Sequence, residues 1–331
     1  MIKGDSMFLE RWMLLWLLAF SGIAFFWPWE NFDVFLLSAP LQRPLFALTM
    51  GCIGFMLPTK EVDETLRDFR SVALGVAAQY AIMPLLAVGL ASIPGLPQQV
   101  RLGLILVGCV PGAMASNVLT LQARGNASFS VGLTTLATIL SPIAVPVALG
   151  LAIGQWDEAT FSLLLRSSFW LLVTVVLPVL VGQFAARMLP LDKRQQERAA
   201  SAGRYIANFT ILWIIAFVVA KNRESLHNAL RVADLFRATP QNEFSPTSLT
   251  IRLACLNLGG YVAGFAAGGL IGLETGRRRA LTLEIGMQNA GLGALLALDL
   301  FGPQAALPPA LFTFGCMFSG TVLASFWARK G

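Results

Sequence analysis

Apolar runs separated by short polar stretches extend from residue 12 to residue 328, at roughly 12–29, 43–58, 71–93, 101–123, 126–153, 163–186, 204–221, 250–273, 280–299 and 304–328. Most are close to the ~20 apolar residues that a helix needs to cross a bilayer. The pattern predicts an all-α polytopic membrane protein of ten transmembrane helices, forming a single membrane domain over 1–331. Several runs exceed one crossing and predict tilt or interfacial extension. Two carry polar residues at their centre. Gly108-Cys109-Val110-Pro111-Gly112-Ala113-Met114-Ala115-Ser116-Asn117 lies in the fourth span, and Glu284-Ile285-Gly286-Met287-Gln288-Asn289 in the ninth.

These runs predict helix breaks. Pro111 lacks an N–H and disfavours helix at the residue before it, Gly112 loosens the backbone, and Gly286 and Gly291 bracket Gln288-Asn289. Asn117 and Asn289 lie 172 residues apart, about half the chain, each in the fourth span of a five-span half. An odd number of spans per half inverts the second half relative to the first, which predicts repeats at about 12–153 and 163–328. Paired interrupted spans in inverted repeats point to a mid-membrane transport site. Non-helical backbone survives at that depth only where it lines a cavity; its carbonyls suit a cation and facing helix N-termini an anion. The alternative is an ordinary Gly/Pro kink or a small-residue packing face. One break alone would not separate these readings, but two in matching positions, one with a carboxylate, favour the site. Glu284 is the only formal charge between Arg279 and Asp299. An ionised carboxylate at mid-membrane costs about 2.5–3.5 kcal/mol, so such a group faces a partner, a cavity or an ion.

Composition agrees. Hydrophobic residues make up 56% of the 331 and charged ones 13%, with mean hydropathy +0.68, against about 25% charge in a soluble domain. The net charge of +6 reflects the positive-inside rule rather than a nucleic-acid partner. With the N-terminus inside and sides alternating, 16 Lys and Arg fall inside and 8 outside, which places both termini in the cytoplasm. The start resembles a signal peptide, with Lys3 and Arg11 ahead of an apolar stretch, but no A-x-A-like site follows. Phe25-Phe26-Trp27-Pro28-Trp29 reads as an interfacial belt closing an uncleaved first span. The loop at 221–250 carries most of the outside charge, and Leu226, Leu230, Ala233 and Phe236 predict an amphipathic surface helix over 223–236. A lid or partner surface is the alternative there. Cys52, Cys109, Cys255 and Cys316 sit in apolar segments without CxxC spacing and read as buried small hydrophobes. The one histidine, His227, falls in a polar loop, which argues against a His-based metal site or a triad within the membrane.

Gln79-Tyr80-Ala81-Ile82-Met83-Pro84, the stretch 107–132 and the stretch 284–293 together resemble the bile acid:sodium symporter family, and the similarity covers most of the chain. The spacing Gly108-Cys109-x-Pro111-Gly112-x-x-Ala115-Ser116-Asn117-x-x-Thr120-x-x-Ala123-Arg124-Gly125-Asn126-x-x-x-Ser130, followed by Glu284-x-Gly286-Met287-Gln288-Asn289-x-Gly291-Leu292, is long and specific. The resemblance implies a core of helices 3–5 and 8–10, a panel of helices 1, 2, 6 and 7, and discontinuous helices 4 and 9 that cross. It also implies two sodium sites: Ser116, Asn117, Ser130, Thr134 and Glu284 at the first, and Gln79, Gln288 and main-chain oxygens near Glu284, Ile285 and Met287 at the second. Carboxylate, amide, hydroxyl and carbonyl oxygens suit a hard cation, and Ser130 and Thr134, four apart, share a helix face. Either hydroxyl alone is more often bonded back to its own helix. Met114 stands where related bacterial members carry threonine, and Cys316-Met317 where they carry His-Asn. The substrate lining is thus rewritten toward apolar, with Asn289 (beside Asn117) kept as a polar contact.

The expected function is sodium-coupled symport of an organic anion, a bile-acid-like or other partly apolar carboxylate or sulfonate, by alternating access. Its partners are Na+, the anion and the lipid bilayer, with the bacterial inner membrane as location. Two alternatives stay open: a cation/proton exchanger using Glu284, or a non-transporting ligand-binding homologue. An intramembrane enzyme finds no paired aspartates, HExxH or nucleophile–base pair in the sequence.

Overall fold

A computed structural model describes residues 12–29, 32–56, 68–154, 158–189, 191–229 and 246–330. The described residues are helical, with no strand among them. In chain order the helices are α1 (Met13–Phe25), α2 (Val34–Leu37), α3 (Gln42–Met56), α4 (Phe69–Ala91), α5 (Gln98–Cys109), α6 (Ala115–Gln122) and α7 (Ala127–Ile153). Then come α8 (Glu158–Leu171), a π turn (Leu172–Val176), α9 (Leu177–Met188), α10 (Lys193–Lys221) and α11 (Arg223–Ala229). The last are α12 (Pro246–Leu270), α13 (Thr275–Gly286), α14 (Ala290–Phe301) and α15 (Leu307–Lys330). Six described segments are long and apolar enough to cross a membrane: Phe69–Ala91, Ala127–Ile153, Thr160–Met188, Arg194–Lys221, Thr247–Leu270 and Pro303–Arg329. Met13–Phe25, Gln98–Cys109 and Ala290–Phe301 are shorter apolar helices.

The chain forms two compact units, Met1–Pro58 with Phe169–Arg223, and Thr59–Ser168 with Glu224–Gly331. In the first unit, α3 and α9 meet backbone to backbone. A Cβ at Gly54 would strike the Val179 backbone, and one at Gly182 the Gly51 carbonyl. Small residues permit this approach, and the dispersion it gains is what holds helices together in a medium as apolar as their side chains. Pro178 has no N–H for the carbonyl four residues back, and the π turn just before it takes up the mismatch. Asp33 caps α2 by accepting from Phe35 N at 2.9 Å and also pairs with Arg223 at 2.6 Å; the same guanidinium donates to Ala24 O.

In the second unit, α4, α5, α7, α12 and α15 surround the short helices α6, α13 and α14. Arg252 is buried on α12, and its guanidinium donates to the carbonyls of Leu90, Ile93 and Pro94, closing the C-terminal end of α4. Arg277 pairs with Asp68, Arg279 donates to Ala123 O at 2.9 Å, and Arg278 lies 3.5 Å over the Phe265 ring.

Several expectations need correction. The seventh span starts at Lys193, eleven residues earlier than its apolar run, because Asp192 and Gln195 form a reciprocal capping box that starts the helix in polar sequence. His227 sits in helix α11, not in a loop. Of the cysteines, Cys109 and Cys316 are buried as expected, Cys52 is half-buried and Cys255 is exposed, because its face of α12 is not covered by protein. The predicted helix over 223–236 is helical through Ala229; its remainder lies outside the described residues.

Candidate functional site

Helix α5 ends at Cys109, Val110 is extended (φ −75°, ψ 157°), and α6 begins at Ala115. Helix α13 ends at Gly286, Met287 is extended (φ −113°, ψ 103°), and α14 begins at Ala290. The two extended stretches pair with each other. Ala113 N donates to Met287 O and Asn289 N to Pro111 O, both at 2.8 Å, as an antiparallel bridge between Gly112 and Gln288. Backbone groups of each extended stretch are thus satisfied by the other, in an interior where water does not compete. Gly112 is needed at this contact, because a Cβ there would occupy the position of the Glu284 carboxylate.

Glu284 is fully buried on the last turn of α13. Oε2 accepts from Ser116 Oγ at 2.5 Å and Oε1 from Thr134 Oγ1 at 2.7 Å. Ser130 Oγ donates to Asn117 Oδ1 at 2.8 Å, and Thr134 Oγ1 lies 3.3 Å from that same oxygen. The Thr134 hydroxyl has one proton, so its 2.7 Å contact to Glu284 is the hydrogen bond and the longer contact is secondary. Ser116 and Asn117 come from α6, Ser130 and Thr134 from α7, and Glu284 from α13. Among the described residues no Lys or Arg pairs with Glu284. The carboxylate is met by neutral dipoles, an arrangement that can hold a hard monovalent cation.

Gln79 is buried on α4, and both its amide atoms lack a protein partner. Gln288 donates through Nε2 to Ile285 O at 2.8 Å, leaving its buried Oε1 unpartnered. Buried amides of this kind are uncommon, and their free oxygens match what a second cation would require. The Met287 and Ile285 carbonyls each already accept one bond and retain a second lone pair.

The residues expected at the substrate are more dispersed. Asn289 turns its side chain to cap α14, accepting from Leu292 N at 3.1 Å. Cys316 is buried, and its thiol points to Thr313 O on its own helix. Met114 and Met317 are half-buried. The sequence reading passed over Asn257, whose Nδ2 donates to Gly286 O at 2.8 Å, and Ser319, whose Oγ donates to Asn257 Oδ1 at 2.5 Å. The available signal was an amide in the apolar run Leu256-Asn257-Leu258-Gly259-Gly260, four residues before Tyr261.

A multi-pass helical membrane transporter is the class of protein that this fold and this buried polar centre define. A family model, the sodium bile acid symporter family, matches residues 43–229. The chain is 32% identical to an uncharacterized sodium-dependent transporter of Bacillus subtilis, over 99% of this chain and 94% of that one. It is 29% identical over 86% of its length to a probable chloroplastic sodium/metabolite cotransporter of Arabidopsis thaliana, covering 65% of that protein. Identity to the ileal sodium/bile acid cotransporter of Oryctolagus cuniculus is 26%, over 88% and 79%. The chain belongs to the sodium bile acid symporter family, whose members are sodium-dependent transporters and not enzymes.

Proposed function

We propose that this protein is a symporter in which two sodium ions drive the entry of a partly apolar organic anion, a carboxylate or sulfonate, by alternating access. The observation that carries the reading is Glu284, fully buried and bonded by the Ser116 and Thr134 hydroxyls from two other helices. A buried charge without a basic partner calls for a cation as counter-ion. At the first sodium site Ser116, Asn117, Ser130, Thr134 and Glu284 hold the ion; the Ser116 and Thr134 hydroxyls rotate to offer lone pairs once sodium meets the carboxylate. At the second, Gln79 and Gln288 supply amide oxygens, with main-chain oxygens of Glu284, Ile285 and Met287. Met114, Asn117, Asn289, Cys316 and Met317 form the substrate wall, and their softness favours a partly apolar anion.

The architecture that goes with this reading is ten spans in two inverted five-helix repeats. The pair α5–α6 forms the fourth span, and the pair α13–α14 the ninth. The second compact unit serves as the core and the first as the panel; support comes from its content, which matches spans 3–5 and 8–10. Both termini face the cytoplasm, in keeping with the bias of Lys and Arg.

The test is a thermal-shift screen of the purified chain in sodium or choline salts against a set of organic anions, with Glu284→Ala alongside. Ligand binding raises apparent stability by mass action. Sodium stabilises the wild type but not the variant, and one anion adds a further sodium-dependent shift. No response to sodium in the wild type rejects the reading. The hydroxyl donors on Glu284 also suit a carboxyl that carries a proton, which keeps a cation/proton exchanger as a second reading. A response to pH without one to sodium, and sodium or proton flux with no added anion, would favour it.

A further inference from the structure

Helices α12 and α15 carry a polar chain that links the break after α13 to the wall around Cys316. Gly286 O, at the end of α13, accepts from Asn257 Nδ2 at 2.8 Å; Asn257 Oδ1 accepts from Ser319 Oγ at 2.5 Å; and the Tyr261 hydroxyl lies 3.2 Å from Ser319 Oγ and 3.4 Å from Cys316 O. Proton counting fixes the direction. The single Ser319 proton goes to Asn257, so the Tyr261 proton is the one shared between Ser319 Oγ and the Cys316 carbonyl. Asn257 and Tyr261 are one helical turn apart on α12, and Cys316 and Ser319 nearly one turn apart on α15, so each pair shares a face.

The fit around this chain is close. A Cβ on Gly286 would enter the Tyr261 ring, one on Gly260 would come within 3.1 Å of the Gly286 Cα, and one on Gly320 within 2.7 Å of Met287 Sδ and 3.1 Å of Tyr261 Oη. Helix α12 therefore touches the broken backbone directly and α15 meets the Met287 side chain, and Asn257 fixes the peptide between Gly286 and Met287. The amide is buried at 3% exposure and is spent on one carbonyl and one hydroxyl. Helix ends in apolar surroundings need such donors, but a donor satisfying Gly286 O alone would not require the link onward to α15.

We propose that Asn257 is a positioning residue, through which occupancy of the cation site at the break is conveyed by Ser319 to the backbone at Cys316. The inference rests on the sodium reading of Glu284 and adds a route from ion to substrate wall. Fixing the Gly286 peptide sets the direction of the neighbouring Ile285 and Met287 carbonyls. When an ion pulls on those carbonyls, the Asn257 amide shifts, and Ser319 and Tyr261 carry the shift to Cys316.

The experiment uses sodium alone as the probe on the full purified chain, with two readouts. The first is the sodium concentration giving half the thermal shift. The second is the alkylation rate of Cys316 by a maleimide, resolved from the other three cysteines by peptide mass spectrometry, in sodium and in choline. In the wild type, sodium changes the Cys316 rate. Asn257→Ala raises the sodium midpoint about tenfold and abolishes the sodium effect on Cys316. Ser319→Ala, which leaves the bond from Asn257 to Gly286 in place, abolishes the Cys316 response with a smaller change in midpoint, and Ser319→Thr restores the response. If the variants melt earlier in choline but keep the wild-type midpoint and Cys316 response, the chain of bonds is only structural and the inference is overturned. Should Asn257→Ala not fold, the serine pair decides alone. A wild type that does not respond to sodium overturns both this inference and the reading on which it rests, whereas failure confined to the variants leaves that reading standing.

Discussion

Glu284 and Gly112 are coupled by space. A methyl at 112 would displace the carboxylate, and overpacking in a dense interior costs about 1–3 kcal/mol. Gly112→Ala is expected to lower the melting temperature in choline and to weaken sodium stabilisation as well, since the displaced group is the proposed ligand; calorimetry with and without sodium reads both. Arg252→Ala is expected to act on stability alone. It leaves the Leu90, Ile93 and Pro94 carbonyls without their donor, at about 1–3 kcal/mol for a buried group left unsatisfied, while the sodium midpoint stays as it was. These two residues also differ in how well the sequence revealed them. Glu284 stood out because nothing near it is charged. Arg252 carried no such signal, because hydropathy cannot show that a guanidinium is consumed by the end of a neighbouring helix.

The ends of α5 and α13 were legible from Pro111, Gly112 and Gly286, residues whose backbone limits act locally. What closes them was not legible, since the bridge between Gly112 and Gln288 joins distant parts of the chain. The early start of α10 was missed for a related reason. Arg194, Arg198 and Arg204 end an apolar run but not a helix, whose start is set by the Asp192 cap. Pro111→Ala restores an N–H and allows α5 to continue as helix. It is expected to leave the protein folded but raise the sodium midpoint, measured by the same thermal shift; an unchanged midpoint would mean that the break is set by the bridge and not by the proline. In the other unit, Gly182→Leu forces α9 away from α3, where backbone meets backbone. A marked loss of melting temperature is expected, with the sodium-dependent increment kept in whatever fraction folds.

At the level of transport, the proposed stoichiometry has an electrical signature. Two sodium ions with one monoanion move one net charge, worth about 2.3 kcal/mol per 100 mV, and each tenfold sodium gradient adds about 1.4 kcal/mol per ion. In proteoliposomes an inside-negative potassium diffusion potential is expected to speed uptake of a monoanionic substrate and leave a dianionic one unaffected. Equal responses would reject two-to-one coupling. The composition announced a membrane protein and the interrupted polar runs a transporter, while the solute stayed hidden, since the proposed wall residues Met114, Cys316 and Met317 specify only softness and bulk. The bridge between the two breaks also constrains biosynthesis. A nascent chain that has cleared the ribosome only as far as Gly286 has already made Pro111 and Ala113, yet the carbonyl of one and the N–H of the other still await Asn289 and Met287. Until Met287 and Asn289 have emerged, the first break must keep its polar backbone wet or shielded by the insertion machinery. The unfinished protein is therefore most exposed to quality control at the place proposed to become its cation site.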